Sequence, residues 1–380
     1  MTKLFRIVTT PLSFETVLKG QLQYMQQHLD VTAIYSDCEK SDKIEKTEGI
    51  KTYSVELTQQ FSLLKDLKTI WKLYLFFRKE KPDIVHTHSP KAGLIGMLAA
   101  RLANVPLRLH TVAGMPLMVT KGLKRKLLNF TKKLTCRYAH QVYPNSRGLQ
   151  EFILKNKFCP ESKLKIIGKG SSNGINSAFF SPKLYTHNQK VELKNETGIP
   201  INGFVFCFVG RMVKDKGINE LVQAFVEVNK TFRYAKLLLV GPFEPELDLL
   251  APETEKAILE HPDIFSVGFQ TDVRPYLAFS DVFVFPSYRE GFPNVVMQAG
   301  AMELPCIVTD INGCNEIIED GVNGLIIPPK NKEQLQEKMR LLLENSELRN
   351  HLKQNARSMI TSRYEQKAVW EALLEEYRSL

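Results

Sequence analysis

Short β-rich runs alternate with longer amphipathic stretches twice over in this sequence, and few architectures accommodate that order. In the first half, Lys3–Thr9, Val31–Tyr35, Asp83–His88, Leu107–Val112 and His140–Pro144 read as strands. Between them, Leu18–His28, Leu63–Lys79, Ala92–Ala103 and Leu123–Tyr138 carry apolar residues at helical spacing. Strands separated by helices of this length imply right-handed βαβ crossovers and a parallel sheet. A passage dense in Gly, Ser, Asn and Pro, Gly168–Pro200, then interrupts the pattern. Strands resume at Phe204–Val209, Lys236–Val240, Ile264–Val267, Val282–Phe285, Cys306–Thr309 and Gly324–Ile327. Helices at Ile218–Lys230, Glu253–His261, Val273–Phe279 and Asn294–Met302 separate them, and Asn331–Leu380 reads as helical throughout. The expected fold class is α/β: two doubly wound, Rossmann-like parallel-sheet domains, 1–180 and 200–363, joined by a linker at 181–199. Their strand C-termini are expected to face an interdomain cleft, since such sheets bind ligands beyond those ends.

Composition fits two cores. Of 380 residues, 43% are hydrophobic and 24% charged, without the bias of a disordered or collagen-like chain. Cys38, Cys136, Cys159, Cys207, Cys306 and Cys314 are scattered with no C-x-x-C pair, so free thiols in a reducing compartment are expected. The start, MTKLFRIVTTPLS, is too short and polar for a signal peptide. Apolar stretches such as Ala92–Ala100 fall far short of the ~20 residues of a membrane helix. A cytoplasmic protein, or one touching a membrane from outside, is expected. Net charge is +10, and its source is local: Ile84–Gln150 holds eleven basic residues and no acidic one. A field this lopsided implies an anionic partner near the first half, whether phosphate, lipid headgroup or nucleic acid.

Chemistry-bearing residues cluster at strand ends. In VFCFVGRMVKDKG, from Val205, a buried strand ends at Gly210, and Arg211 and Lys216 emerge on the loop before a helix. Two cations beside a helix N-terminus make an anion site, because free N–H groups and the helix dipole add to their charge. In PSYREGFPNVVMQAGAMELPCIVTD, Pro286–Asp310, Glu290 stands in a turn just before the helix that begins at Asn294. Donors for phosphate together with an acceptor for hydroxyls suit a nucleotide-sugar. No D-x-D carboxylate pair of the kind that bridges a divalent ion to a diphosphate is present, so neither metal nor other cofactor is expected.

The GR-x4-KG loop, the E-G-F-P-N-V-V helix start and the Asp310…Glu316…GVNGLIIPP run together resemble the family 4 retaining glycosyltransferases, whose two Rossmann-like domains define the GT-B fold. The resemblance spans nearly the whole chain. DIVHTHSPKAGLIGMLAAR and RLHTVAGMPLM resemble the branch acting in bacterial capsule, O-antigen and lipid-linked oligosaccharide assembly. It implies a donor-binding C-terminal domain and an acceptor-binding N-terminal domain, onto which the last helix, 364–380, packs back. Arg211 and Lys216 match the pair that grips the donor diphosphate, and Glu290 matches the first acid of the E-x7-E motif, which contacts the donor sugar. Backbone N–H groups of Gly291, Phe292, Pro293, Asn294 and Val295 match the loop cradling sugar and phosphate (Pro293 itself has no N–H). The second acid is replaced by Gln298, which offers one carbonyl and two donors to a ribose edge and implies an altered nucleotide contact. His110 matches a histidine near donor sugar and acceptor, giving a catalytic set of Glu290, Arg211, Lys216 and His110. Ser13 and Gly20 in the loop after the first strand, with His88 and Lys91 after a later one, fall on the acceptor side.

In Leu123–Tyr138, Leu123, Leu127, Phe130 and Leu134 form one apolar stripe, while Lys124, Arg125, Lys126, Lys132, Lys133 and Arg137 cover much of the remainder. Such a helix suits docking on anionic lipid. The same stripe could instead pack on the domain core with the lysines solvated. The expected partners are therefore a nucleotide-sugar donor, UDP-linked, a polyprenyl-diphosphate-linked or other glycan acceptor and an anionic membrane surface at the inner face of the cytoplasmic membrane. Nucleic acid is not expected, because the basic segment lacks a stacking platform. Alternatives are a UDP-sugar 2-epimerase of the same fold and a non-catalytic basic binding protein.

Overall fold

In the first strand, β1 (Lys3–Ile7), Leu4 and Arg6 point to one face and Phe5 and Ile7 to the other, and all four are buried. Such a strand needs cover on both sides, as in parallel sheets. The computed structural model describes residues 1–36, 45, 48–57, 62–114 and 122–380. They divide into two compact units: Met1–Gly174 with Gln366–Leu380, and Ile175–Glu365.

In the first unit, α1 (Leu12–Thr16) and α2 (Gln21–Gln26) lead to β2 (Asp30–Ser36) and β3 (Lys51–Val55). Then come α3 (Leu63–Glu80), β4 (Ile84–His88), α4 (Pro90–Leu102), β5 (Leu107–Val112), α5 (Gly122–Tyr138), β6 (Gln141–Pro144) and α6 (Arg147–Lys155). The six strands form one parallel sheet in the order β3-β2-β1-β4-β5-β6, with Ile7 opposite both Ile34 and Thr87. Phe5, Ile7, Val85 and Val142 meet Leu73, Phe77 and Ile95 on one face; Leu4, Val8 and Val31 meet Phe14, Leu18 and Leu22 on the other. β3 was not among the expected strands. It lies at the sheet edge, and its exposed positions break up the apolar run that marks a buried strand.

The second unit begins with α7 (His187–Glu196), inside the stretch 181–199 read above as a linker. Its Thr186–Gln189 capping box holds the helix start, though none of its residues is buried. β7 (Phe204–Val209), α8 (Ile218–Thr231), β8 (Ala235–Val240), α9 (Pro252–Glu260), β9 (Ile264–Ser266) and α10 (Arg274–Ala278) follow. β10 (Val282–Phe285), α11 (Asn294–Ala301), β11 (Cys306–Thr309), α12 (Cys314–Ile317), β12 (Gly324–Ile327), α13 (Lys332–Glu344) and α14 (Ser346–Tyr364) complete it. The sheet order is β12-β11-β10-β7-β8-β9, again parallel. Asn345 and Glu365 interrupt what the sequence suggested was one helical run.

The last helix, α15 (Gln366–Ser379), returns to the first unit and packs against α2. Leu373, Leu374 and Tyr377 join the apolar layer over Leu4 and Val8. The buried Arg6 donates to Tyr377 Oη at 3.0 Å and to Gln21 Oε1 at 3.1 Å. Tyr143 donates to Glu376 at 3.1 Å, and Lys165 pairs with the same carboxylate. Burial and the Glu376 charge push the Tyr143 hydroxyl up, so it stays a proton donor. Among the described residues no helix is long and apolar enough to cross a membrane. Cys136, Cys159, Cys207, Cys306 and Cys314 are buried free thiols; Cys38 lies outside the described residues.

Candidate active site

The polar constellation of the second unit grows from four strand ends. After β7, Gly210 donates its N–H to Val240 O at 2.9 Å, which carries the chain across to the end of β8. Arg211 follows, half-exposed, with its guanidinium 3.3 Å from Glu244 on the loop after β8. A single 3₁₀ turn, Lys214–Lys216, then ends at Gly217, whose φ of +73° lets α8 start close beneath Pro286 at the end of β10. The turn aims Lys216 at Glu290, and the two side chains form an ion pair with only 16% and 15% exposure.

Glu290 is held from three directions. Ser287 Oγ donates to Glu290 Oε1 at 2.9 Å. Asn312 Nδ2, from the loop after β11, donates to the carbonyls of Glu290 at 2.9 Å and Gly291 at 2.6 Å. Gly313 (φ +79°) allows this approach, since a Cβ there would lie 2.6 Å from Gly291 O. Arg289 is drawn to Asp215 at 2.7 Å, and Tyr288 donates to Glu220 at 2.6 Å, so the turn before Glu290 is bolted to the turn carrying Lys216. Phe292 and Pro293 bury their side chains, Phe292 edge-on to Tyr364 at 5.3 Å. Their backbone is thereby fixed at the start of α11, where Asn294 and Val295 open the helix half-buried and first-turn N–H groups lie outside the helical ladder. Gln298 sits one turn further along, half-buried.

The structure thus joins Lys216 to Glu290 and directs Arg211 to Glu244 instead. The contributions of Ser287, Asn312 and Glu244 were not read from the sequence. Ser287 stands one residue beyond an apolar strand, after Pro286, and Asn312 sits in a D-x-N-G turn, and those were the available signals. Among the described residues, no group of three His, Cys, Asp or Glu side chains could hold a metal ion.

The first unit departs from several expectations. His110 lies within β5 at 1% exposure, with Nδ1 2.8 Å from Thr87 Oγ1 and Nε2 3.3 Å from Lys132 Nζ. Gly93 makes room for the ring, since a Cβ there would sit 2.5 Å from His110 Cε1. The ring is thus packed among Thr87, Gly93 and Lys132, with both nitrogens within reach of side chains of its own domain. Lys132 is likewise turned inward at 7% exposure and leaves the proposed membrane face, whereas Lys126 and Lys133 are exposed and Arg125 is half-buried. The side chain of Lys124 lies outside the described residues. Gly20 donates its N–H to Glu48 at 2.9 Å and backs onto the Trp370 ring, so it is a packing glycine. Lys91 is buried in an ion pair with Asp66 at 2.8 Å. Ser13 stays half-buried near Thr10, and His88 ends β4 with Nδ1 unpartnered among the described residues.

His86, His88 and His110 are all held neutral. Burial lowers each; the Arg6 charge adds to this for His86 and His88, and Lys132 for His110. His88 is brought down to about 3. In the unfolded chain each titrates near 6.5, so below that pH the unfolded state binds protons that the folded state does not. Stability is therefore complete above about pH 6.5 and lost as pH falls towards 3, at up to ~1.4 kcal/mol per pH unit for each histidine. Urea midpoints at pH 7.5 and 5.5 should show the decline; equal midpoints would refute it.

Family comparisons agree with this architecture. The sequence matches the family described as Glycosyl transferases group 1 over residues 189–359 and the Glycosyl transferase 4-like domain over 18–170. It is 32% identical to the capsular polysaccharide biosynthesis glycosyltransferase CapM of Staphylococcus aureus, over 99% of this chain and 97% of that one. It is also 32% identical to the UDP-Gal:alpha-D-GlcNAc-diphosphoundecaprenol alpha-1,3-galactosyltransferase of Escherichia coli, over 71% and 69%. In three dimensions it is similar to Anabaena Alr3699/HepE, solved with UDP, with a TM-score of 0.82 and 18% identity over the whole of both chains. The chain belongs to the family 4 glycosyltransferases of GT-B fold. It is a sugar-transferring enzyme.

Proposed function

We propose that this enzyme moves a sugar, with retention of anomeric configuration, from a UDP-linked donor to a polyprenyl-diphosphate-linked saccharide at the inner face of the cytoplasmic membrane. The observation that carries the reading is the Lys216–Glu290 contact beside the start of α11. It puts a cation, a sugar-hydroxyl acceptor and a helix N-terminus in one place. The residues suited to the donor are Arg211, Lys216, Glu290, Gln298 and the 291–295 backbone. Arg211 swings from Glu244 to the diphosphate, whose charge it and Lys216 stabilise as the bond to the sugar breaks. The departing diphosphate accepts the proton of the acceptor hydroxyl on the same face, leaving the protein to supply orientation. The Escherichia coli relative, by its name, takes UDP-Gal to a diphosphoundecaprenol-linked GlcNAc, which supports donor and acceptor class alike. Arg125, Lys126 and Lys133 support contact with anionic lipid.

The test is a panel of nucleotide-sugars with a polyprenyl-diphosphate glycan, in the presence of EDTA, with product anomers assigned by NMR. Acceptor-dependent transfer with retention from a UDP-sugar is expected. Inversion, abolition by EDTA, or conversion of the donor without acceptor would each overturn the reading. In the same assay Gln298→Glu should lower the donor KM roughly tenfold at unchanged kcat, since a carboxylate accepts from both ribose hydroxyls and a charge-assisted bond is worth ~1–2 kcal/mol more.

A further inference from the structure

Helix α3 is apolar on two opposite sides. Its inner side buries Thr69, Leu73 and Phe77 against the sheet. Its outer side exposes Leu64 (83%), Leu67 (56%), Trp71 (62%) and Leu75 (50%). The spacing i, i+3, i+7, i+11 sets these four in one row about 16 Å long. Exposed Lys65, Lys68, Lys72 and Lys79 run beside the row. Of the acids nearby, Asp66 is turned in to Lys91, while Glu56 meets Lys65 at 2.7 Å and Glu80 lies 4.0 Å from Lys79, so the outward positive charge beside the row rests mainly on Lys68 and Lys72. The neighbouring helices continue the pattern. α3 packs on α4, which ends in exposed Leu102, and α4 packs on α5. α5 shows Leu127 (51%) and Phe130 (63%) among Lys126, Lys133 and Arg137. Leu127 and Phe130, from the row that sequence periodicity picks out in α5, thus face outward too, while Leu134 of that row is half-buried.

A row of leucines with one tryptophan, edged by lysines, is the chemistry of an interfacial membrane helix. A protein groove would call for acids to meet those lysines and leaves the narrow, indole-bearing row unexplained. The geometry points to the outer face of α3 as an apolar wedge that enters the headgroup–acyl boundary of an anionic phospholipid bilayer, while the lysines of α3 and α5 hold the phosphates. This deepens the proposed membrane association and is independent of the transfer chemistry.

Vesicle flotation separates the alternatives. The full chain should bind phosphatidylglycerol-containing vesicles at least tenfold better than pure phosphatidylcholine ones. Trp71 emission should shift to the blue on binding, and the shift should be absent in Trp71→Phe. The exposed-row variant Leu64→Ser/Leu67→Ser/Leu75→Ser should lose binding at least tenfold while keeping its circular dichroism and its turnover of a water-soluble acceptor. Unbound wild type, equal binding by that variant, or a light-scattering dimer that the variant dissolves would overturn the proposal, the last in favour of a second copy. Intact vesicle binding with no sugar transfer would count against the transfer reading alone.

Discussion

Lys216→Ala is expected to lower kcat by about 10²–10³-fold, the usual result of removing one preorganised charge from the site where a leaving group's charge develops. The donor KM should move much less, because the ammonium does most when the diphosphate departs. A structural cost accompanies it: Glu290, at 15% exposure, loses its cation and keeps Ser287 Oγ at 2.9 Å as partner. That cost, ~1–3 kcal/mol for a poorly solvated group, leaves the fold intact. Steady-state kinetics with a thermal melt separate the two effects. Turnover within twofold of wild type would remove Lys216 from the reaction.

Gly217→Ala should be among the most damaging single methyl additions to the second unit. At φ +73° an alanine is already strained, and its Cβ would stand 2.1 Å from the Pro286 carbonyl oxygen and 2.8 Å from its carbon. Neither backbone can withdraw without moving a strand end, so a loss of ~3–5 kcal/mol is expected, together with displacement of Lys216. Gly268→Ala is the control. Its φ is similar at +65°, yet no atom lies within 4 Å of the added carbon, and only ~1 kcal/mol should be lost. Chemical denaturation of the pair decides the matter: comparable losses would show that strain alone, and not the contact with Pro286, governs the turn.

These two positions also mark where the sequence could be read and where it could not. The central strands were legible because each is a near-continuous apolar run, as in FVFCFV of β7. Arg211, Lys216 and Glu290 were legible because charged residues at strand ends before helices have few structural reasons to be there. Long-range pairings were not: nothing local to Arg211 announces Glu244, and nothing near Glu290 announces Asn312. The α5 stripe shows a deeper limit. Periodicity put Leu127 and Phe130 on one side of the helix, but which side faces the sheet was decided by the packing against α4. Gly93, where a Cβ would lie 3.1 Å from Thr135 Cγ2, admits only compact side chains, and the buried His110 offers Lys132 an inward partner. Helix α7 escaped notice for the opposite reason, as a polar segment whose only signature is its cap.

The hydrogen bond between Arg6 and Tyr377 closes the first unit across 371 positions of sequence. On a ribosome, the first strand therefore emerges long before the helix that covers it, and the intervening unit, 175–365, is made in the meantime. The second unit can mature while the first still waits with part of one face of its sheet uncovered. Birth order and chain order are thus reversed for the last step, and a nascent chain stalled before α15 would carry a finished half beside an unfinished one, a natural client for a chaperone that shields apolar surface.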